Sequence, residues 1–361
     1  MKKAYLILQN GDVYEGARFG ASGEIEAELV FTTGMIGYLE TLTDPSFHGQ
    51  MVMQTFPIIG SYGVIPEDFE SERPRLSAYI VREACDKPSN FRSRGNLGEY
   101  MEKTGVIGLS GVDTRALTMT LREAGVMNAA IVDQLPGDMS AFTKKLAGKS
   151  LSSDVYQVSC KDFYEYVPQG VKPDYRRRVT LWDFGVKLAI PESLARLGCR
   201  VTVAPASASW QDILDTKPDG IMLSNGPGDP SGYHKLISEV SGLVGKGVPI
   251  MGICLGHQLL ALAQGAKSVK LKFGHRGANQ PVRRVSDGRL FVTCQNHGYA
   301  LVDGSLPKDA ISSYVNLDDG TNEGVDYPNQ KAFSVQFHPE ARSGPHDTEF
   351  LFDRFVEMME V

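Results

Sequence analysis

The chain has 361 residues, 42% of them hydrophobic, and a formal net charge of −6 at pH 7. This length allows two domains of ordinary size, and the acidic balance argues against a nucleic-acid partner. Apolar runs stay well short of the roughly 18 residues that a membrane-spanning helix needs, so composition excludes an integral helical membrane protein.

Cysteine usage indicates a reducing compartment. The five cysteines are Cys85, Cys160, Cys199, Cys254 and Cys294, and no CxxC motif occurs. An odd number at wide spacing is typical neither of a disulfide framework nor of a zinc site. We therefore expect free thiols, no metal site and a cytoplasmic location.

Residues 1–150 combine short alternating strands with glycine-rich turns. "AYLILQNGDVYEG" predicts a β-hairpin about Asn10-Gly11, and its apolar run is too short for a signal peptide. "VDTRALTMTLREAG" predicts a helix that Asp113 or Thr114 caps and Gly125 ends. This part is expected to be an α+β domain.

A change of composition separates this part from the rest. Prolines, a glycine and charges interrupt any period in "YEYVPQGVKPDYRRR" (164–178). We place a linker at residues 151–177 and expect the basic "RRR" cluster to be a solvated surface.

Residues 178–361 alternate strands with helices. The strands begin with "RVTLWDFG", "CRVTVAPA", "DGIMLSNGPGDP" and "VPIMGICLGHQ", and helical patterns lie between them. This alternation predicts a parallel sheet with right-handed crossovers. "SVKLKFGHRGANQPVRRV" and "LFVTCQNHGYALV" follow as shorter, partly antiparallel strands, then a last strand, "KAFSVQFHPE", and a closing helix, "DTEFLFDRFVEMME".

Cys254 lies where an apolar strand gives way to a helical pattern, in "VPIMGICLGHQLLALAQG" (248–265). Gly252 and Gly256 supply the small neighbours that so sharp a turn needs. The thiol would be lifted clear of the sheet, beside the first free N–H groups of a helix, and that position favours the thiolate. The alternative is a buried cysteine in an ordinary strand–helix turn.

Ligands of open parallel sheets bind beyond the carboxyl ends of the strands. Three segments should end there: the Cys254 turn, the "NGPGDP" loop and "QFHPE". In an extended chain His338 and Glu340 point the same way. A thiol, an imidazole and a carboxylate can thus form nucleophile, base and orienting group. By itself "HPE" also fits a surface strand end with a solvated glutamate.

The "NGPGDP" loop offers the N–H groups of Gly226 and Gly228 to an oxyanion, unless it is simply a tight turn that requires glycine. It does not match the phosphate-binding pattern GxxxxGK[ST]. Near "AGKS" (147–150), Thr143 stands where the first glycine of that pattern should be. The sequence therefore predicts no nucleotide site.

The motifs "GICLGHQ", "SNGPGDP" and "QFHPE" resemble those of triad-type (class I) glutamine amidotransferases. Further blocks resemble the family of small, glutamine-hydrolysing subunits of carbamoyl-phosphate synthetase: "TTGMIGYLETLTDPSFHGQ", "FPIIGSYGV", "GVDTRAL", "WDFGVK", "KFGHRGANQPV" and "QNHGYA". The resemblance covers essentially the whole chain. It implies a flavodoxin-like, mostly parallel α/β glutaminase domain at 178–361 and a separate N-terminal domain at 1–150 that helps to dock a large synthetase subunit.

The resemblance implies a role for each site residue. Cys254 would be the nucleophile, His338 the general base and acid, and Glu340 its partner, with the N–H groups of Gly226 and Leu255 as oxyanion donors. The residues expected to hold glutamine are Ser46, Gly226, Gly228, Leu255, Gln258, Asn296, Gly298 and Tyr299. Ser46 would reach a pocket at the domain interface, whereas His257 and His297 would be structural neighbours.

The resemblance further implies thioester chemistry without a metal or organic cofactor in this chain. ATP and Mg²⁺ are expected in the large subunit, which would form at least a heterodimer with this chain. That subunit would make carbamoyl phosphate from bicarbonate and the delivered ammonia, for arginine and pyrimidine biosynthesis. Tyr299 and Cys294 depart from commoner family residues, and these departures bear on glutamine affinity rather than on the reaction.

Three alternatives stay open. The first is an amidotransferase subunit that feeds anthranilate or GMP synthesis, against which the N-terminal blocks argue. The second is a cysteine hydrolase of the same fold that acts alone. The third is an inactive scaffolding subunit, against which the intact Cys254, His338 and Glu340 argue.

Overall fold

The structure, a computed structural model, describes residues 2–150, 154–168 and 174–360. The chain divides into two compact units, Met1–Ser153 and Asp154–Val361, and each has its own sheet and core. Among the described residues, every helix is too short or too polar to cross a membrane.

Unit 1 is built on a closed β-barrel. Its strands are β1 (Lys3–Leu8), β2 (Val13–Gly20), β3 (Ile25–Thr32), β4 (Gln50–Gln54), β5 (Ile58–Ile59), β6 (Ala78–Ile80), β7 (Glu83–Ala84), β8 (Ile107–Ser110) and β9 (Met127–Val132). Its helices are α1 (Tyr38–Thr43), α2 (Leu97–Thr104), α3 (Thr114–Ala124) and α4 (Met139–Ala147). The barrel order is β1-β2-β8-β6-β4-β3-β9, and β5 pairs with β7. The predicted α+β class is confirmed.

Local sequence signals set two features of unit 1. Strands β1 and β2 form an antiparallel hairpin whose turn contains Gly11 at φ 98°. The Asp113 carboxylate accepts the Ala116 N–H at 3.0 Å and so caps α3, and Gly125 follows the last turn at φ 96°. The hairpin and both helix ends were predicted from the sequence and are confirmed.

Unit 2 is a ten-stranded sheet with helices on both faces. Its strands are β10 (Tyr164–Tyr166), β11 (Arg177–Asp183), β12 (Cys199–Pro205), β13 (Gly220–Leu223), β14 (Ile250–Ile253), β15 (Ser268–Arg284), β16 (Leu290–Leu301), β17 (Ile311–Asn316), β18 (Asn322–Tyr327) and β19 (Ala332–Val335). Its helices are α5 (Ala189–Arg196), α6 (Trp210–Asp215), α7 (His234–Leu243), α8 (Leu255–Leu262) and α9 (Phe350–Glu357). The parallel strands follow the order β12-β11-β13-β14-β19. This is the strand order of flavodoxin-like sheets, so the predicted flavodoxin-like domain is confirmed.

Alternation along the strands divides the core of unit 2 between the two faces of the sheet. Trp182 on β11 packs in one apolar cluster with side chains of α6, α7 and α8. The preceding residue, Leu181, packs in the other cluster with side chains of α5 and α9. Helices thus cover both faces, as a parallel sheet requires.

Antiparallel strands extend the parallel set on the β19 side, in the order β18-β17-β15-β16. The sequence predicted partly antiparallel strands that are shorter than the preceding ones; the antiparallel pairing is confirmed, but β15 has 17 residues and β16 has 12. Register shifts after Lys270 and Gly277 allow the long pair to bend while it remains paired.

The predicted linker, 151–177, extends too far. Residues 154–168 belong to unit 2, because β10 pairs with β12 and the Cys160 N–H donates to Asp183 Oδ2 at 2.7 Å. An edge strand of three residues is too short to show a hydrophobic period. Residues 151–153 and 169–173 of the predicted linker lie outside the described residues.

The β14–α8 turn explains why a cysteine stands between two glycines. A Cβ at Gly256 would meet the Leu223 carbonyl oxygen of β13 at 2.3 Å, and a Cβ at Gly252 would meet the Gly256 oxygen at 2.8 Å. The residue with positive φ is Cys254 itself, at φ 54° and ψ −104°. The two positions therefore require glycine because α8 lies so close to the sheet. They do not require it because of an unusual backbone conformation.

We expect Gly256→Ala to lower the free energy of unfolding by about 1–3 kcal/mol, because the added methyl group overpacks the α8–β13 contact. Gly137→Ala is the matched control, since a Cβ there meets nothing within 4 Å, and it should change stability by less than about 0.5 kcal/mol. Urea unfolding of the full chain, followed by circular dichroism, measures both. Equal stability of the two variants would contradict the close packing.

Candidate active site

Three adjacent strand ends build the candidate site. Strands β13, β14 and β19 are neighbours and parallel, so the segments that follow them leave the sheet at one edge. These segments are the "NGPGDP" loop, Cys254 and "QFHPE". The structure thus brings together the three segments that the sequence predicted to meet.

Cys254 occupies a strained position at the start of α8. A non-glycine residue at φ 54°, ψ −104° persists only where its surroundings impose it. Its N–H donates to the Val335 oxygen at 2.9 Å, and its Sγ lies 3.6 Å from the Asn296 carbonyl oxygen. Only 3% of the residue is exposed. The thiol is therefore covered by the backbone of β16, not lifted into the open as the turn by itself suggested.

His338 is held from both sides. Its backbone N–H donates to the backbone oxygen of Cys294 at 2.9 Å. Its ring nitrogen Nδ1 lies 2.6 Å from Glu340 Oε1. Burial lowers the pKa of the imidazole, but the Glu340 charge and side-chain contacts with Cys254 and Glu340 outweigh it, so the pKa lies well above its usual value. Nε2 has no close hydrogen-bond partner among the described residues. It is the nitrogen available to the thiol and to a substrate.

Glu340 has a second cationic partner, which the sequence analysis missed. Lys187, between β11 and α5, lies 3.0 Å from Glu340 Oε1, and the two side chains are 7% and 0% exposed. Burial by itself would raise the pKa of Glu340. The positive charges of Lys187 and His338 have the larger combined effect and lower this pKa to about 2. Lys187 could have been found from the sequence, because "FGVK" follows β11, and ligands of parallel sheets bind beyond the carboxyl ends of the strands.

The glycine-rich loop lies close to the backbone of its neighbours. A Cβ at Gly226 would meet the Phe184 oxygen at 2.2 Å and the Leu255 side chain at 2.8 Å, and Gly228 has φ 93°. Asn225 fixes the loop, since its side-chain oxygen accepts a hydrogen bond from the backbone N–H of Lys187 at 3.1 Å. Leu255 is the first residue of α8, so its N–H has no partner within the helix. These features fit the predicted oxyanion donors.

The other predicted glutamine contacts in unit 2 cluster around β16. Gln258 on α8 is buried, and its Nε2 donates to the Tyr299 oxygen and to Gln336 Oε1, both at 2.8 Å. Asn296 presents its carbonyl oxygen to the Cys254 thiol. A Cβ at Gly298 would lie 3.2 Å from an Arg276 nitrogen. Gln258 thus positions β16, and its direct contact with glutamine stays a prediction.

Ser46 is the predicted glutamine contact that lies outside unit 2. Ser46 belongs to unit 1, in a short 3-10 turn where its N–H donates to Asp44 Oδ1 at 2.8 Å. Its contact with glutamine stays a prediction.

His257 is fully buried on α8, with Nδ1 2.8 Å from Ser334 Oγ. Burial lowers its pKa to about 3, so a neutral ring fits the predicted structural role.

The arrangement has the parts that acyl transfer requires. A thiol lies beside an imidazole whose pKa is raised, and a buried carboxylate holds that ring. The strained turn and a glycine loop place backbone N–H groups nearby. Such a set can attack an amide or ester carbonyl and form a thioester.

Two family models match the chain. The model "Glutamine amidotransferase class-I" matches residues 180–358, and "Carbamoyl-phosphate synthase small chain, CPSase domain" matches residues 6–131. The first contains every predicted site residue of unit 2, and the second contains Ser46.

Curated relatives match over nearly the full length. The carbamoyl phosphate synthase small chain of Syntrophotalea carbinolica is 45% identical over 99% of this chain and 98% of its own. That of Lactococcus lactis subsp. lactis is 44% identical over 100% and 99%, and that of Clostridium perfringens is 45% identical over 98% and 99%. This chain therefore belongs to the carbamoyl-phosphate synthase small chain family.

Proposed function

We propose that the chain is the glutaminase subunit of a glutamine-dependent carbamoyl-phosphate synthase. It hydrolyses L-glutamine to glutamate through a thioester on Cys254 and delivers the ammonia to a large, ATP-using subunit. The observation that carries the proposal is the buried His338–Glu340 pair, with Nδ1 2.6 Å from Oε1, which follows the strand next to the one that ends at Cys254. Family membership over both units supports the partner.

The first half of the reaction forms the thioester. The Cys254 proton passes to Nε2 of His338, and Sγ attacks the side-chain amide carbon of glutamine. Negative charge develops on the amide oxygen, where the N–H groups of Gly226 and Leu255 receive it. The His338 proton then goes to the departing nitrogen, the C–N bond breaks, and ammonia leaves.

The second half regenerates the enzyme. Nε2 of His338 takes a proton from water, and the resulting oxygen nucleophile attacks the thioester carbon. The C–S bond breaks, glutamate leaves, and the proton returns to the sulfur. Glu340 stays ionised throughout, because the pKa of its carboxyl is about 2, and it stabilises the imidazolium in both halves.

Glutamine binding is assigned to the residues named from the sequence: Ser46, Gly226, Gly228, Leu255, Gln258, Asn296, Gly298 and Tyr299. Backbone groups of the loop and of β16 would hold the reacting amide, and Ser46 would contribute from unit 1. The proposed steps use protein groups alone. ATP and Mg²⁺ would act in the large subunit, in the cytoplasm, to supply carbamoyl phosphate to arginine and pyrimidine synthesis.

We expect Cys254→Ser to abolish glutamine-supported carbamoyl phosphate synthesis and to spare synthesis from ammonium salts, because only the first route needs the thiolate. The measurement is carbamoyl phosphate formation by this chain reconstituted with the large subunit, with glutamine or ammonium chloride as nitrogen source. Cys85→Ser removes a half-buried thiol of unit 1 and is the control.

Persistent glutamine use by Cys254→Ser would disprove the nucleophile assignment. Full glutaminase activity of the parent chain without the large subunit, and no gain when it is added, would favour the hydrolase that acts alone.

We expect Glu340→Gln to move the alkaline limb of the kcat/KM profile for glutamine to lower pH, by about one unit or more. The Glu340 charge raises the pKa of His338, and loss of an opposite charge at this distance shifts a pKa by about 1–3 units. The imidazolium is then lost at lower pH. A profile that keeps its alkaline limb in place would show that Glu340 does not set the charge of His338.

We expect Lys187→Met to destabilise the chain by about 3–5 kcal/mol, because it leaves the Glu340 charge buried with one partner fewer. Glutaminase activity should fall in the fraction that remains folded. Lys149→Met is the matched control, since Lys149 pairs with Glu26 at a partly exposed site, and it should cost at most about 1 kcal/mol. Thermal and urea unfolding of both variants provide the comparison, and equal losses would refute the buried role of Lys187.

A further inference from the structure

A second cluster of titratable side chains lies in the antiparallel part of unit 2. His275 on β15, His297 on β16 and Glu323 on β18 are all buried. One nitrogen or oxygen of each lies within 4.8 Å of the others. His275 Nδ1 is 3.5 Å, and His297 Nε2 is 3.9 Å, from Glu323 Oε1. The proposed reaction uses none of these three side chains.

The outer nitrogen of each ring has an acceptor that fixes its proton. His275 Nε2 lies 2.9 Å from Asp319 Oδ2, and His297 Nδ1 lies 2.8 Å from the Tyr299 carbonyl oxygen. A carbonyl or an ionised carboxylate can only accept, so in each neutral ring the outer nitrogen carries the hydrogen. The inner nitrogens, His275 Nδ1 and His297 Nε2, then present lone pairs toward Glu323.

The inner nitrogens and the Glu323 carboxylate are therefore hydrogen-bond acceptors that face one another. Gln295 Oε1 also faces His297 Nε2, at 3.1 Å, and the Gln295 amide is oriented by donation from its Nε2 to Glu323 Oε2 at 3.0 Å. The donors that face the inner atoms are distant: Thr321 Oγ1 lies 3.4 Å from Glu323 Oε1, and Asn316 Nδ2 lies 3.5 Å from that oxygen and from His275 Nδ1. Such long contacts are weak. A positive charge between these atoms would compensate their converging lone pairs.

We propose that His275, His297 and Glu323 bind a divalent transition-metal cation of the Zn²⁺ class, with Gln295 Oε1 as a fourth ligand. Two imidazoles and a carboxylate are ligands that Zn²⁺ takes, at about 2.0–2.2 Å. Shifts of a few tenths of an ångström would draw the three atoms to that distance. The outer partners, a carboxylate and a backbone carbonyl, are those that orient metal-bound histidines.

The ion would cross-link three strands of the antiparallel extension. The backbones of β15 and β16 pair directly at His275 and His297, whereas β17 separates β18 from β15 in the sheet. The outer partner of His275, Asp319, has a side chain that is 41% exposed, so the cluster lies one side chain from solvent on that side. The cysteine spacing of the sequence predicted no metal site, whereas these ligands are spread over 49 positions, from 275 to 323, without a local motif.

The test is metal binding by the full, untagged chain with Cys254→Ser, which removes the thiol beside His338 as a competing ligand. After removal of metals with a chelator, we expect one equivalent of Zn²⁺ per chain by equilibrium dialysis and mass spectrometry. Co²⁺ should give the intense visible absorption of a four-coordinate site. Saturating Zn²⁺ should raise Tm, because it binds the folded state.

Variants locate the ion. Glu323→Gln keeps the size of the side chain and removes its charge, and His275→Asn removes one ligand. Each should lower Zn²⁺ affinity at least tenfold and cancel the rise in Tm. His346→Asn removes an exposed histidine that pairs with Glu349, and it should bind Zn²⁺ as the parent does.

Two results would overturn the proposal. The first is occupancy of the parent below about a tenth of an equivalent, which would mean that a proton on an imidazole supplies the positive charge instead. The second is equal occupancy in the parent, Glu323→Gln and His275→Asn, which would place the ion elsewhere.

Discussion

The buried carboxylate of Glu340 is the charge on which the candidate active site depends. One of its oxygens lies 2.6 Å from His338 and 3.0 Å from Lys187. A carboxylate removed from water costs several kcal/mol unless cations and hydrogen bonds offset that loss, and here two cationic groups from different strand ends do so. The segment after β11 is thereby joined to the segment after β19. The same contact orients the imidazole toward Cys254.

The strained turn at Cys254 persists because its neighbours leave it no alternative. Its N–H is bound to the Val335 oxygen, and the Gly256 N–H to the Ser224 oxygen, so both flanking strands fix the turn. The close approach of Gly256 to β13 excludes a relaxed path for the chain. Strain of this type costs about 1–3 kcal/mol, and the core of unit 2 provides the stability that offsets it. The result is a sulfur held in one place at the start of a helix.

Strand β16 serves two purposes, one through its side chains and one through its backbone. Gln295 and His297 point the same way, with Oε1 and Nε2 3.1 Å apart, and belong to the buried polar cluster behind the strand. The carbonyl oxygen of Asn296, between them, contacts the thiol. A change in the buried cluster would therefore reach the site through the position of β16.

The sequence by itself determined those features that depend on neighbours along the chain. The hairpin at Gly11, the cap at Asp113, the strand–helix alternation of unit 2 and the strand-end positions of Cys254 and His338 follow from local patterns. Only the tertiary structure decided that Lys187 would reach Glu340, that β16 would cover the thiol, and that His275, His297 and Glu323 would meet. The physical reason is that backbone conformation and burial period are local properties. Pairing between distant side chains depends instead on strand order and register, which no single segment encodes.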